Sequence, residues 1–124
     1  MAKCIYAQLC HDCEPMEGWY SVIEMIDKLV LPEEVAYIGQ LSLFSEWRGE
    51  SNEIINFVVK IKAPSGQEQT LFDSVTIPSK ERSKKHCSIL RKVKIAEKGD
   101  YLLTVATENN AHFSTQFYVE RVLE

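Results

Sequence analysis

The sequence predicts an all-β fold, a single antiparallel sandwich of seven to eight strands spanning residues 1–124. Two observations carry the prediction. Apolar residues alternate with polar ones over most of the chain from Val35 onward, the period-two signature of half-buried strands. Turn-forming clusters then interrupt this alternation at short intervals, as in sandwiches. At 124 residues, the chain suits one domain with a real hydrophobic core. No repeat, linker or low-complexity segment divides it.

"KCIYAQLC" supplies the first strand. In "YIGQLSLFSEW", Tyr37, Leu41, Leu43 and Trp47 share one face. "RGESNE" turns the chain, and "IINFVVKIKA" then places Ile55, Phe57, Val59 and Ile61 inward. "PSGQ" is a Pro- and Gly-containing turn, and "TLFDSVTI" resumes the β pattern as far as Pro78. The polar loop "SKERSKKH" leads into "CSILRKVKI", where Cys87, Ile89, Val93 and Ile95 are expected on one face. "YLLTVAT" and "HFSTQFYVERV", joined by "ENNA", form a hairpin with Tyr101, Leu103 and Val105 inward on one strand and Phe113, Phe117 and Val119 on the other.

Residues 19–30 read two ways. Trp19, Val22, Ile23, Ile26 and Val30 fall at helical spacing. The segment is also rich in β-branched and aromatic residues and follows Gly18, so its all-β surroundings favour a strand.

Several of these positions resemble a family of small bacterial β-sandwich proteins of unknown function. That family opens with an Ala-Asp strand, a Gly-led strand, a loop ending near Pro and a strand ending in a Pro-Asp-Gly turn. The matching positions are Ala7-Gln8, Gly18, Pro32 and Ala63 to Gly66, with Gln8 in place of the acid. The closing "KGDYLLTV…HFSTQFYVERV" resembles the last strands of immunoglobulin-like or C2-like sandwiches. The resemblance implies a strand at residues 19–30 and supplies no activity.

Charge and cysteines bound the function. A net charge of −4 and a pI near 5.4 disfavour nucleic-acid binding. No leader or membrane-length apolar run is evident, so the reading is cytoplasmic, with the four cysteines reduced. The C-x2-C spacing of Cys10 and Cys13 would let two thiolates grip a zinc ion, with His86, Cys87 and His112 as further ligand candidates. The plainer reading is that Cys10 packs as a small apolar side chain and Cys13 sits in a loop. Lys80, Arg82, Lys84, Lys85, Arg91, Lys92 and Lys94 cluster against one acid, Glu81. They form a basic patch for an acidic partner, or a solvated edge.

No hydrolase, zincin or phosphate-loop motif occurs, and a dyad of Cys87 and His112 is the one catalytic arrangement to weigh. The expectation is therefore a non-catalytic intracellular binding or assembly module without a cofactor. Its partner would be a protein, or a second copy met through a strand edge, with "RGESNE", "SKERSKKH" and "ENNA" as exposed loops. The alternatives are a zinc-stabilised or zinc-dependent protein using Cys10 and Cys13, and a small enzyme with a Cys or His centre.

Overall fold

The computed structural model describes residues 2–50, 53–72, 76–77, 83–107 and 112–122. These residues form strands β1 (Lys3–Met16), β2 (Trp19–Met25), β3 (Lys28–Pro32), β4 (Tyr37–Arg48), β5 (Ile55–Lys62), β6 (Glu68–Phe72), β7 (Thr76–Ile77), β8 (Ser83–Lys94), β9 (Gly99–Thr107) and β10 (His112–Val122). One sheet has the order β2-β1-β4-β8. The other has the order β3-β10-β9-β5-β6, with β7 pairing β5. The expected sandwich is present. Among the described residues, ten strands stand where seven or eight were expected: "TLFDSVTI" contributes both β6 and β7, and residues 19–30 divide into β2 and β3.

The division of residues 19–30 explains their ambiguous pattern. Ile26 N–H donates to Leu9 O at 2.8 Å, whereas Asp27 O accepts from Tyr118 N at 2.9 Å. The chain therefore leaves the first sheet at Ile26 and enters the second at Asp27. There β3 runs parallel to β10, from Lys28 beside Tyr118 to Pro32 beside Val122. Ile26, Leu29 and Leu31 pack against the core. An apolar stripe shared between two sheets need not keep a period of two across the switch.

The two sheets bury Leu41, Leu43 and Trp47 of β4 against Ile55, Phe57, Val59 and Ile61 of β5, with Tyr101, Leu103, Val105, Phe117 and Val119. Trp47 and Phe57 lie 4.8 Å apart between ring centroids, and Trp47 Nε1 donates to Ser45 Oγ at 3.0 Å. The hydrogen bond matters because an indole N–H left unpaired in a core carries a desolvation cost.

Phe113, though half-buried, packs against the core as expected. Two facings differ from the expectation. Tyr37 is exposed. On β8, Cys87 and Ile89 point away from the core, while Lys84, Ser88 and Leu90 are buried and His86 meets Phe57 at 6.1 Å. Lys92 has φ +54. Its left-handed backbone breaks the alternation, so that Leu90 and Val93, three apart, both face inward. Alternation read backwards from Val93 and Ile95 therefore assigns the wrong face to the first half of the strand.

At the corner between β8 and β9, Tyr101 OH donates to Glu97 O at 2.8 Å and accepts from Glu97 N at 2.9 Å. Its ring stacks on Phe117 at 5.3 Å. Gly99, with φ +129, makes room for this corner, because a Cβ there would lie 2.9 Å from Pro64 Cγ. A tyrosine closing this corner is a hallmark of immunoglobulin-like sandwiches, as is the division of β1, β4 and β8 from β5, β9 and β10. At the opposite margin, the Arg121 guanidinium donates to the carbonyls of Pro32, Val35 and Ile95, tying β3, the lead into β4 and the end of β8 together.

Tyr101→Phe keeps the packing and removes both hydrogen bonds from Glu97. Urea unfolding should show a loss of about 1–3 kcal/mol with an unchanged slope. A loss below about 0.5 kcal/mol would mean that the hydroxyl contributes little beyond the ring.

Candidate functional site

The feature that departs most from a plain sandwich is a hairpin arm. β1 pairs with β4 from Lys3 to Cys10, with one irregularity between Cys4 and Tyr6, and that pairing then ends. Beyond it, β1 pairs with β2 alone, from Cys10 opposite Met25 to Met16 opposite Trp19. Gly18, with φ +79, supplies the positive backbone angle in the two-residue turn.

Alternation gives the arm two faces. One face holds it to the sandwich. The Tyr20 ring meets Phe44 edge-on at 5.8 Å, Tyr20 OH donates to Lys85 O at 2.9 Å, and Cys13 is disulfide-bonded to Cys87 with Cα atoms 5.9 Å apart. The other face presents Met16, Trp19 and Ile23, which are 41%, 57% and 45% exposed. Glu24, with φ +53, breaks the alternation before Met25, whose Sδ lies 3.9 Å from the Tyr6 hydroxyl. Isolated exposed apolar residues are ordinary, but three large ones on one face of a short hairpin form a patch. Asp12, Glu14, Glu17, Glu24 and Asp27 frame it, and no lysine or arginine occurs between residues 11 and 27. β2 is also the end strand of its sheet.

The bridge corrects the expectation of four reduced cysteines. Cys13 and Cys87 are joined across 74 residues, while Cys4 and Cys10 are free and buried. Burial pushes both free thiols up to about 11, so they are weak nucleophiles at neutral pH. Cys10 Sγ donates to Ser42 O at 3.5 Å. The members of the proposed zinc set go separate ways: Cys13 and Cys87 bond to each other, Cys10 faces a carbonyl, and His86 turns inward to Phe57. Among the described residues, no group of three His, Cys, Asp or Glu side chains is placed to hold a metal ion. In the bonded state, Cys87 carries no thiol for a dyad with His112, whose side chain lies outside the described residues.

The basic patch is also divided. Lys80 and Arg82 lie outside the described residues. Lys84 is only 2% exposed, and its Nζ donates to Glu50 O at 2.9 Å. It is a buried structural cation rather than part of a docking surface. Lys85 lies 3.7 Å from Glu46. Part of the exposed margin of β8 is capped: Lys85 O by Tyr20, and both backbone groups of Lys94 by the Gln69 side chain, at 2.8 and 3.0 Å. In a small cleft of about 210 Å³, the Gln69 side chain, the Lys94 backbone, the Glu97 carboxylate and Tyr101 OH are engaged structurally. The Glu97 carboxylate accepts from Ser65 N and Ser65 Oγ at 2.9 and 2.7 Å.

Two predictions follow from this geometry. Reduction, or Cys13→Ser, should lower stability by on the order of 4 kcal/mol for a loop of this length. Urea midpoints with and without reductant measure the loss, and identical midpoints would show that the arm needs no covalent tether. Separately, burial holds the His86 imidazole below its ordinary 6.5. The unfolded chain then takes up the proton first as pH falls. Stability present at neutral pH should decline below about pH 6.5 and level off once His86 protonates in the folded state. His86→Leu should flatten this decline in melting temperature between about pH 7 and pH 5; an unchanged profile would assign the decline to other groups.

No protein-family model and no curated protein matches the chain. Among solved structures it is similar to a β-glucosidase from Listeria innocua, at a TM-score of 0.54 and 12% identity, over 96% of this chain and 17% of that one. It is also similar to an immunoglobulin-like protein from Pseudomonas aeruginosa, at 0.46 and 9% over 97% of each chain. A third similar structure is a Pseudomonas fluorescens alkylpurine DNA glycosylase bound to DNA containing an abasic-site analogue, at 0.46 and 9% over 92% and 30%. The chain thus spans about a sixth of the glucosidase, and that likeness shows the sandwich fold alone.

Proposed function

We propose that this protein is a non-catalytic recognition module that binds a protein partner through the outer face and open edge of the β1–β2 arm. The observation that carries the reading is the exposure of Met16, Trp19 and Ile23 on a hairpin held to the sandwich from its other face. A pre-ordered hairpin loses little entropy on docking, and its end strand presents backbone groups as well as side chains. Aromatic residues and methionine are favoured in interface cores.

The reading is tested by placing a photo-crosslinking residue at Ser21, on the patch, and at Lys60, on the exposed face of β5. A discrete adduct specific to Ser21, lost with Trp19→Ala in a chain of unchanged melting temperature, is the expected outcome. Equal labelling from both positions, or adducts indifferent to Trp19, would refute a recognition role for the arm.

A further inference from the structure

The chemistry of the occupant can be taken further, resting on the reading just given. We infer that the free edge of β2 accepts an extended strand from a different protein, one that alternates large apolar residues with lysine or arginine.

Three features point to this occupant. First, β2 ends its sheet, and among the described residues no other strand pairs on its outer side. A row of unpaired backbone groups is the requirement for adding a strand. Secondly, Trp19 and Ile23 lie on one face of β2 four residues apart, so alternate apolar side chains of an incoming strand can meet both. Thirdly, residues 11–27 hold five acids and no lysine or arginine. Asp12 and Glu14 lie opposite Ile23 and Ser21 in the hairpin, on the same face as the patch, within reach of long cationic side chains that cross it. Opposite charge favours such a segment, whereas an acidic one would be repelled.

The charges of the arm, together with the caps on β8, argue against a second copy of this chain as occupant. Pairing β2 with β2 brings two arms of five acids each together. Pairing β2 with β8, the basic margin of the same sheet, meets a strand already capped at Lys85 by Tyr20 and at Lys94 by Gln69.

The chain contains two tryptophans. Trp47 is fully buried and Trp19 is 57% exposed, so a blue shift of emission on docking reports Trp19. The probes are synthetic peptides of about nine residues, the length of a typical strand. One alternates lysine with valine or isoleucine, one replaces every lysine with glutamate, and one is the lysine peptide N-methylated along one backbone edge. A saturable blue shift is expected with the lysine peptide, weakened roughly tenfold between about 0.05 and 0.5 M salt. The glutamate and N-methylated peptides should bind at least about tenfold more weakly.

Equal binding of the glutamate peptide would overturn the charge assignment. Equal binding of the N-methylated peptide would replace strand addition with surface adhesion, and the absence of any saturable shift at millimolar peptide would also overturn the proposal. A Trp19-dependent dimer in sedimentation would make a second copy the occupant. The two proposals can fail separately. A Ser21 adduct to a segment without lysine or arginine would keep the recognition role and refute this occupant. Failed crosslinking beside intact lysine-peptide binding would refute the role alone.

Discussion

The pairing of β1 with β4 stops at Cys10, and the architecture of the site depends on that limit. A strand that loses its neighbour on one side must find another partner or expose its edge to water. Here β1 continues for six residues with β2 alone, and a hairpin without further support is marginal in water. The Cys13–Cys87 bond and the Tyr20 contacts with Phe44 and Lys85 provide that support from one face. Because the holding groups sit on one face, the other is left for Met16, Trp19 and Ile23.

The remainder of the sandwich supplies a rigid base for this arm. Trp47 and Phe57 fill the space between the sheets, Tyr101 closes the corner before β9, and Arg121 gathers three carbonyls at one margin. The polar groups brought into the interior are put to structural use in the same way. Lys84 reaches a backbone carbonyl and Tyr101 satisfies both backbone groups of one residue. Burying such groups unpaired would cost more than their side chains gain. Cys13, Cys87, Cys10, His86 and Lys84 are therefore engaged in holding the fold, whereas the arm carries an apolar surface that the fold does not require.

The contrast between the two margins of the first sheet sharpens this view. On β8, side chains from Tyr20 and Gln69 occupy backbone groups that could otherwise recruit a strand. Such blocking is how β proteins avoid uncontrolled edge pairing. On β2 the edge carries acidic residues nearby and large apolar ones along it, and among the described residues no side chain caps it. One margin is blunted while the other combines an open edge with a specific chemical character.

The sequence alone determined the fold class, the inward faces of β5 and β9 and the turn at "PSGQ", because these follow from the two-residue period and from local backbone preferences of glycine and proline. The loop expected at "SKERSKKH" is instead strand from Ser83 onward, and "ENNA" lies outside the described residues. The sequence also held, without singling it out, the signal of the site: apolar Trp19 and Ile23 four residues apart among acids. The helical spacing seen across residues 19–30 arose from joining two strands that belong to different sheets. Only the tertiary structure decided that division, the reversed face of β8 at Cys87 and Ile89, the burial of Lys84 and the choice of Cys87 rather than Cys10 as the neighbour of Cys13. A local pattern records which side of a strand is apolar, but a switch of sheet, a single left-handed residue such as Lys92 or a bond across 74 residues is fixed by where distant strands come to lie.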